Sequence, residues 1–90
     1  MNLLKIQRAM SELNDWSLEE NMIVKNFQFS DFKEAKNFFD KVAEIAEKYN
    51  HHPDIVLSYN LLKLTLTTHK AGGLTKIDFD VAKDIDALGM

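Results

Sequence analysis

Ninety residues, 46% of them hydrophobic and 28% charged, describe one domain of ordinary globular composition. The formal net charge of −3 leaves no basic surplus to displace counterions from a phosphate backbone, which argues against direct nucleic-acid binding. Cysteine is absent, so there are no disulfides or thiolate ligands, and a reducing cytoplasm is the expected compartment.

The first ten residues, "MNLLKIQRAM", lack the long apolar segment and small-residue cleavage site of a signal peptide. Nowhere does an apolar run approach the ~20 residues of a membrane span. Leu3, Ile6, Met10 and Leu13 recur at helical spacing and predict a first helix over 2–13. "NDW" then breaks it with turn-prone residues. From 21 to 29 the pattern alternates, with Ile23, Lys25, Phe27 and Phe29 on one parity, which is a strand. Trp16 to Glu19 would pair with it through an "EEN" turn.

Ser30 or Asp31 can cap the next helix, whose apolar stripe runs through Phe32, Ala35, Phe39, Val42, Ala46 and Tyr49. Asn50 is its expected stop. Two strands follow in "DIVLSYNLLKLTLTTH". Ile55, Leu57 and Tyr59 share one parity of the first; Leu62, Leu64 and Leu66 line one face of the second, against Lys63, Thr65, Thr67 and His69. "AGG" makes a flexible turn. A last helix opens at Thr75, with Asp78 at capping-box spacing and Ile77, Val81, Ile85 and Leu88 inward. The order α-β-β-α-β-β-α predicts an α+β fold: a four-stranded, mainly antiparallel sheet with helices packed on one face. The other sheet face and the edge strands are candidate sites of self-association.

The chemistry concentrates in the histidines. His51 and His52 stand side by side after the long helix and before the only proline, Pro53; His69 is the third and last. Imidazole is suited to proton transfer at neutral pH. The competing structural reading is that His51 and His52 meet the last carbonyls of the helix and its dipole. Likewise His69 reads as either a site residue beside a loop or a solvent-facing side chain, and Asp78 as a helix cap. Glu47 lies one helical turn before His51, a spacing at which a carboxylate orients an imidazole, or it is plain surface charge. With no HExxH or Cys/His zinc spacing, no metal ligand set is expected.

Taken together, Glu47, His51-His52-Pro53, Tyr59, His69 and Asp78, with "THKAGGLTKID", resemble the pterin-4a-carbinolamine dehydratase family in order and spacing over about Trp16 to Asp84. The resemblance implies dehydration of a 4a-hydroxytetrahydropterin to a quinonoid dihydropterin in tetrahydrobiopterin recycling. It implies catalysis by His51, His52 and His69 with no cofactor, and a homodimer or homotetramer. By the same resemblance, His51 and His69 are the main proton-transfer groups and His52 positions the ring or hydroxyl. Glu47 then orients His51, and Asp78 supports the His69 loop. Two positions depart from the family pattern. Ile55 and Val56 stand where some members have an aromatic residue, and Lys70 stands where an acidic one is frequent. The alternatives are a non-catalytic dimerisation module, as among relatives that partner a transcription factor, and action on another pterin, such as one of molybdopterin metabolism.

Overall fold

The computed structural model describes residues 1–89. Its elements follow the predicted order: α1 (Leu3–Ser11), β1 (Ser17–Glu19), β2 (Met22–Gln28), α2 (Phe32–Tyr49), β3 (Asp54–Ser58), β4 (Leu61–Leu66), a single 3-10 turn (His69–Ala71) and α3 (Lys76–Asp86). The strands form one antiparallel sheet in the order β1-β2-β4-β3, so β1 and β3 are the edges.

Register decides which side chains meet. Ile23 lies opposite Leu66, Lys25 opposite Leu64 and Phe27 opposite Leu62; Ile55 and Leu57 face Leu64 and Leu62 from the other side. Because the side-chain period of a strand is two, these rows share one face. The helices cover it. Leu62, Leu64 and Leu66 are fully buried there, with Val42 of α2 and Val81 and Ile85 of α3 in the same core. The opposite face carries Asn26, Gln28, Lys63 and Thr65, with the exposed apolar Val56 and Leu61 at the β3–β4 end.

Caps fix where α2 starts and stops. Asp31, the second of the two candidates, accepts a hydrogen bond from the Glu34 N–H at 2.9 Å. Asn50 ends the helix in the left-handed region, at φ +49°, a conformation asparagine tolerates better than most residues. The buried stripe of α2 runs through Ala35, Phe38, Val42 and Ala46. The sequence pattern had assigned Phe39 in place of Phe38. The two phenylalanines are neighbours, and β2 selects between them: Phe38 packs against Phe27 and Phe29 with ring centroids 4.9 and 5.3 Å apart. Phe39 and Tyr49 are half-buried, and Phe32 stays exposed at the first position of the helix. Ile6 and Met10 of α1, and Leu13 just beyond its end, meet the core as expected, but Leu3 does not.

Tyr59 is a second correction. It is not a strand residue but the first residue of the β3–β4 turn, at φ +51° and exposed. Asn60 pins that turn to the end of β2. Its Nδ2 donates to the Phe29 carbonyl at 2.9 Å and its carbonyl accepts from the Phe29 N–H at 2.8 Å.

Two polar contacts tie the helices to one another. The Tyr49 hydroxyl donates to Asp84 at 2.8 Å, and this bond, with the carboxylate charge beside it, pushes the phenol above its ordinary range. Lys83 pairs with Glu12, which raises the ammonium in the same sense and joins α3 to the end of α1. A third contact is buried. Lys25, on the covered face of β2, meets Asp86 of α3 at 2.9 Å. Asp86 also accepts from Trp16 Nε1 and the Asn14 N–H, each at 2.9 Å. None of these pairings is visible as a sequence pattern, because the partners lie 35 to 72 positions apart.

Candidate active site

The end of α2 places His51 and His52. Asn50 turns the chain, and the His51 N–H donates back to the Ala46 carbonyl at 3.0 Å, closing the helix with His51's own backbone. After Asn50, only His51, His52 and the buried Pro53 remain in the link from α2 to β3. Pro53 pre-sets its own backbone angle and restricts that of His52. Neither histidine therefore sits on a floppy connection.

Once past the left-handed residue, His51 no longer follows the helical face of Glu47. It turns toward α3, where its Nε2 lies 2.6 Å from Oδ1 of Asp78. Asp78 is fully buried. Its second oxygen, Oδ2, accepts from the Thr68 hydroxyl at 2.7 Å and from the Thr75 N–H at 2.9 Å. The latter is half of the capping box expected at the start of α3. With Oδ2 saturated, Oδ1 takes the His51 N–H. The network therefore assigns the neutral imidazole as its Nε2–H tautomer, with a lone pair on Nδ1. His51's side chain is 15% exposed, and no buried side-chain nitrogen or oxygen among the described residues lacks a partner. Nδ1, which has no protein partner, therefore reaches solvent.

Glu47 instead pairs with Nε2 of His52. This corrects the expectation that Glu47 orients His51. The i, i+4 relation holds only while the helix continues, and Asn50 ends it one residue too early. Both partners of the Glu47–His52 pair are well exposed, so the contact is solvated and contributes little to stability.

His69 opens the 3-10 turn after β4 rather than ending the strand. The turn is held by its backbone. Thr68 and Gly73 exchange N–H···O bonds of 3.1 and 3.3 Å, and Thr68 and His69 accept from the Ala71 and Gly72 N–H groups. Gly72 sits at φ +71° and accounts for one glycine of "AGG". Among the described residues no side chain hydrogen-bonds the exposed His69 imidazole. Asp78 supports this loop as expected, but it does so through the Thr68 side chain while also holding His51 directly.

The pieces converge on one open cleft of about 370 Å³ lined by Asn50, His51, His52, Thr67, Thr68, His69 and Lys70. That volume falls within the roughly 300–1,000 Å³ of small-molecule sites. All three histidines border it, with Asp78 beneath His51 and Glu47 outside, behind His52. Sequence reasoning missed Thr68, though not Thr75, as a partner of Asp78. The capping-box spacing marks Thr75, whereas nothing in a single sequence marks Thr68.

The comparisons agree with the fold. A profile of the pterin 4 alpha carbinolamine dehydratase family matches residues 1–88. A relative from Sulfurisphaera tokodaii, provisionally named a pterin-4-alpha-carbinolamine dehydratase, is 49% identical over 84 residues, covering 93% of this chain and 90% of its own. One of the same provisional name from Nostoc sp. is 49% identical over 85 residues, covering 94% and 91%. The crystal structure of a protein described as a transcriptional coactivator/pterin dehydratase from Brucella melitensis superposes with a TM-score of 0.94 at 30% identity, covering 100% of this chain and 98% of that one. A pterin dehydratase-like protein identified as a RuBisCO assembly factor in the alpha-carboxysome shares the fold at a TM-score of 0.69 and 24% identity, covering 86% and 92%. The chain belongs to the pterin 4 alpha carbinolamine dehydratase family. Among the described residues no helix is long and apolar enough to cross a membrane, and no group of three His, Cys, Asp or Glu side chains is arranged to hold a metal ion.

Proposed function

We infer that this protein removes water from a 4a-hydroxytetrahydropterin. The C4a–O bond breaks, the N5–H proton leaves, a C4a=N5 double bond forms, and the products are water and a quinonoid dihydropterin. No electrons enter or leave, so the step needs only an acid for the departing hydroxyl and a base for the N5 proton. No cofactor is called for. His51 serves as the base. His51 lines the cleft and its Nδ1 reaches solvent, and the Asp78 carboxylate behind Nε2 stabilises the imidazolium that forms when Nδ1 takes a proton. His69, across the cleft, protonates the leaving hydroxyl. His52, braced by Glu47, orients the ring. The single observation that carries this reading is the buried Asp78–His51 pair at the edge of a cleft that two further histidines line.

In line with the family resemblance, we propose that it recycles the pterin product of an aromatic amino acid hydroxylase, in the cytoplasm. We also assign it a homo-oligomeric state, dimer or tetramer. The uncovered sheet face and the exposed Val56, Tyr59 and Leu61 beside edge strand β3 support that assignment. A second reading, a dimerisation module for a protein partner, draws on the description of the Brucella melitensis relative as a coactivator as well as a dehydratase.

Binding of a stable dihydropterin, followed by NMR of protein labelled in its histidine rings, tests the site. Saturable shifts at His51, His52 and His69 together are the expected result. Saturation that leaves all three unmoved would place the pterin elsewhere.

A further inference from the structure

Thr68 lies between the two halves of the site. Its backbone starts the turn that carries His69: it exchanges hydrogen bonds with Gly73 and accepts from the Ala71 N–H at 3.0 Å. Its side chain reaches the other way and donates to Oδ2 of Asp78 at 2.7 Å, while Oδ1 of the same carboxylate holds His51 at 2.6 Å. A hydroxyl has one hydrogen. Since that of Thr68 goes to Asp78, the 2.9 Å contact between the Thr68 and Thr75 hydroxyls is donated by Thr75. The chain of donors therefore runs from Thr75 to Thr68 to Asp78, where it meets the His51 ring. Two donors fill Oδ2, which leaves Oδ1 to take the His51 proton.

We propose that Thr68 is a positioning residue: its hydroxyl fixes the Asp78 carboxylate so that His51 is held in one tautomer and at one separation from His69. Thr68 touches no reacting atom in this scheme and acts through Asp78. Its importance for turnover rests on the dehydratase reading above; its control of His51 does not.

The discriminating pair is Thr68→Val, which keeps the β-branched shape and removes the donor, and Thr68→Ser, which keeps the donor. With Thr68→Val, kcat for dehydration falls by roughly ten- to a hundredfold, the range expected when a reacting group is displaced by a fraction of an ångström to an ångström, while KM changes little. The ring-nitrogen NMR signals of His51, recorded without substrate, move from the Nε2–H pattern toward a mixture of tautomers. Thr68→Ser restores both. Thr68→Ala, smaller than valine and also without the donor, gives the same result as Thr68→Val and replaces it if that variant does not fold. Parental His51 signals in a folded variant without the hydroxyl would overturn the proposal. So would failure of Thr68→Ser to restore them, since packing of the methyl group would then explain the loss. If the parent protein lacked dehydratase activity, the function would be wrong. The nitrogen signals would still decide whether Thr68 controls His51.

Discussion

Replacing His51 by alanine is expected to lower the dehydration rate by about 10²–10⁴-fold, the usual contribution of a placed general acid or base. The loss comes in two parts. The base itself disappears, and the buried Asp78 carboxylate loses the donor on Oδ1. Leaving a buried polar group short of a partner costs on the order of 1–3 kcal/mol, so His51→Ala also lowers stability, and the rate is to be read on protein shown to be folded. His51→Asn separates the parts. It offers Asp78 an amide donor but no titratable ring, so stability recovers and the rate does not. His69→Ala gives the same combination by a simpler route: an exposed side chain is removed, so stability is unchanged while the rate still falls. A His51→Ala variant that is folded and turns over at the parental rate would remove His51 from the mechanism.

The largest effect on stability is expected from Asp86→Ala. Lys25 and Asp86 retain only 10% and 8% of their side-chain exposure. Asp86 is the common acceptor for the Lys25 ammonium, the Trp16 indole and the Asn14 N–H. Removing it leaves a buried charge uncompensated, which costs about 3–5 kcal/mol. At roughly 4–8 °C per kcal/mol for a domain of this size, the thermal midpoint falls by tens of degrees. The same physics predicts a partial rescue. In Lys25→Met combined with Asp86→Leu no charge remains to be stranded, and an apolar pair of similar volume is often close to neutral. Only the Trp16 and Asn14 donors are then left without Asp86. Urea unfolding of the two variants checks both statements. A loss below 1 kcal/mol in Asp86→Ala, or a double variant no better than the single one, would contradict them.

Most of the fold is legible in the sequence because its signals are local and agree. Asp31 and Asn50 delimit α2, and the period-two run Leu62, Leu64, Leu66 turns its apolar side to the helices. Thr75 and Asp78 stand at capping distance at the start of α3. Where two local choices are equally apolar, as with Phe38 and Phe39, only the opposing sheet decides. In the site, the identities and spacing of His51, His52 and His69 are legible through the family pattern, whereas the partners are not. Glu47 misled because i, i+4 reasoning assumes an unbroken helix, and one left-handed residue exchanges the two histidines between Glu47 and Asp78. Thr68 and Asp86 act across the fold, through contacts that no single-sequence period records.

The most direct test of the whole account is turnover. A hydroxylase generates the 4a-hydroxytetrahydropterin in place, and ultraviolet absorbance follows its conversion to the quinonoid form with and without this protein. The account predicts acceleration that scales with protein concentration. A folded protein that leaves the spontaneous rate unchanged would contradict it.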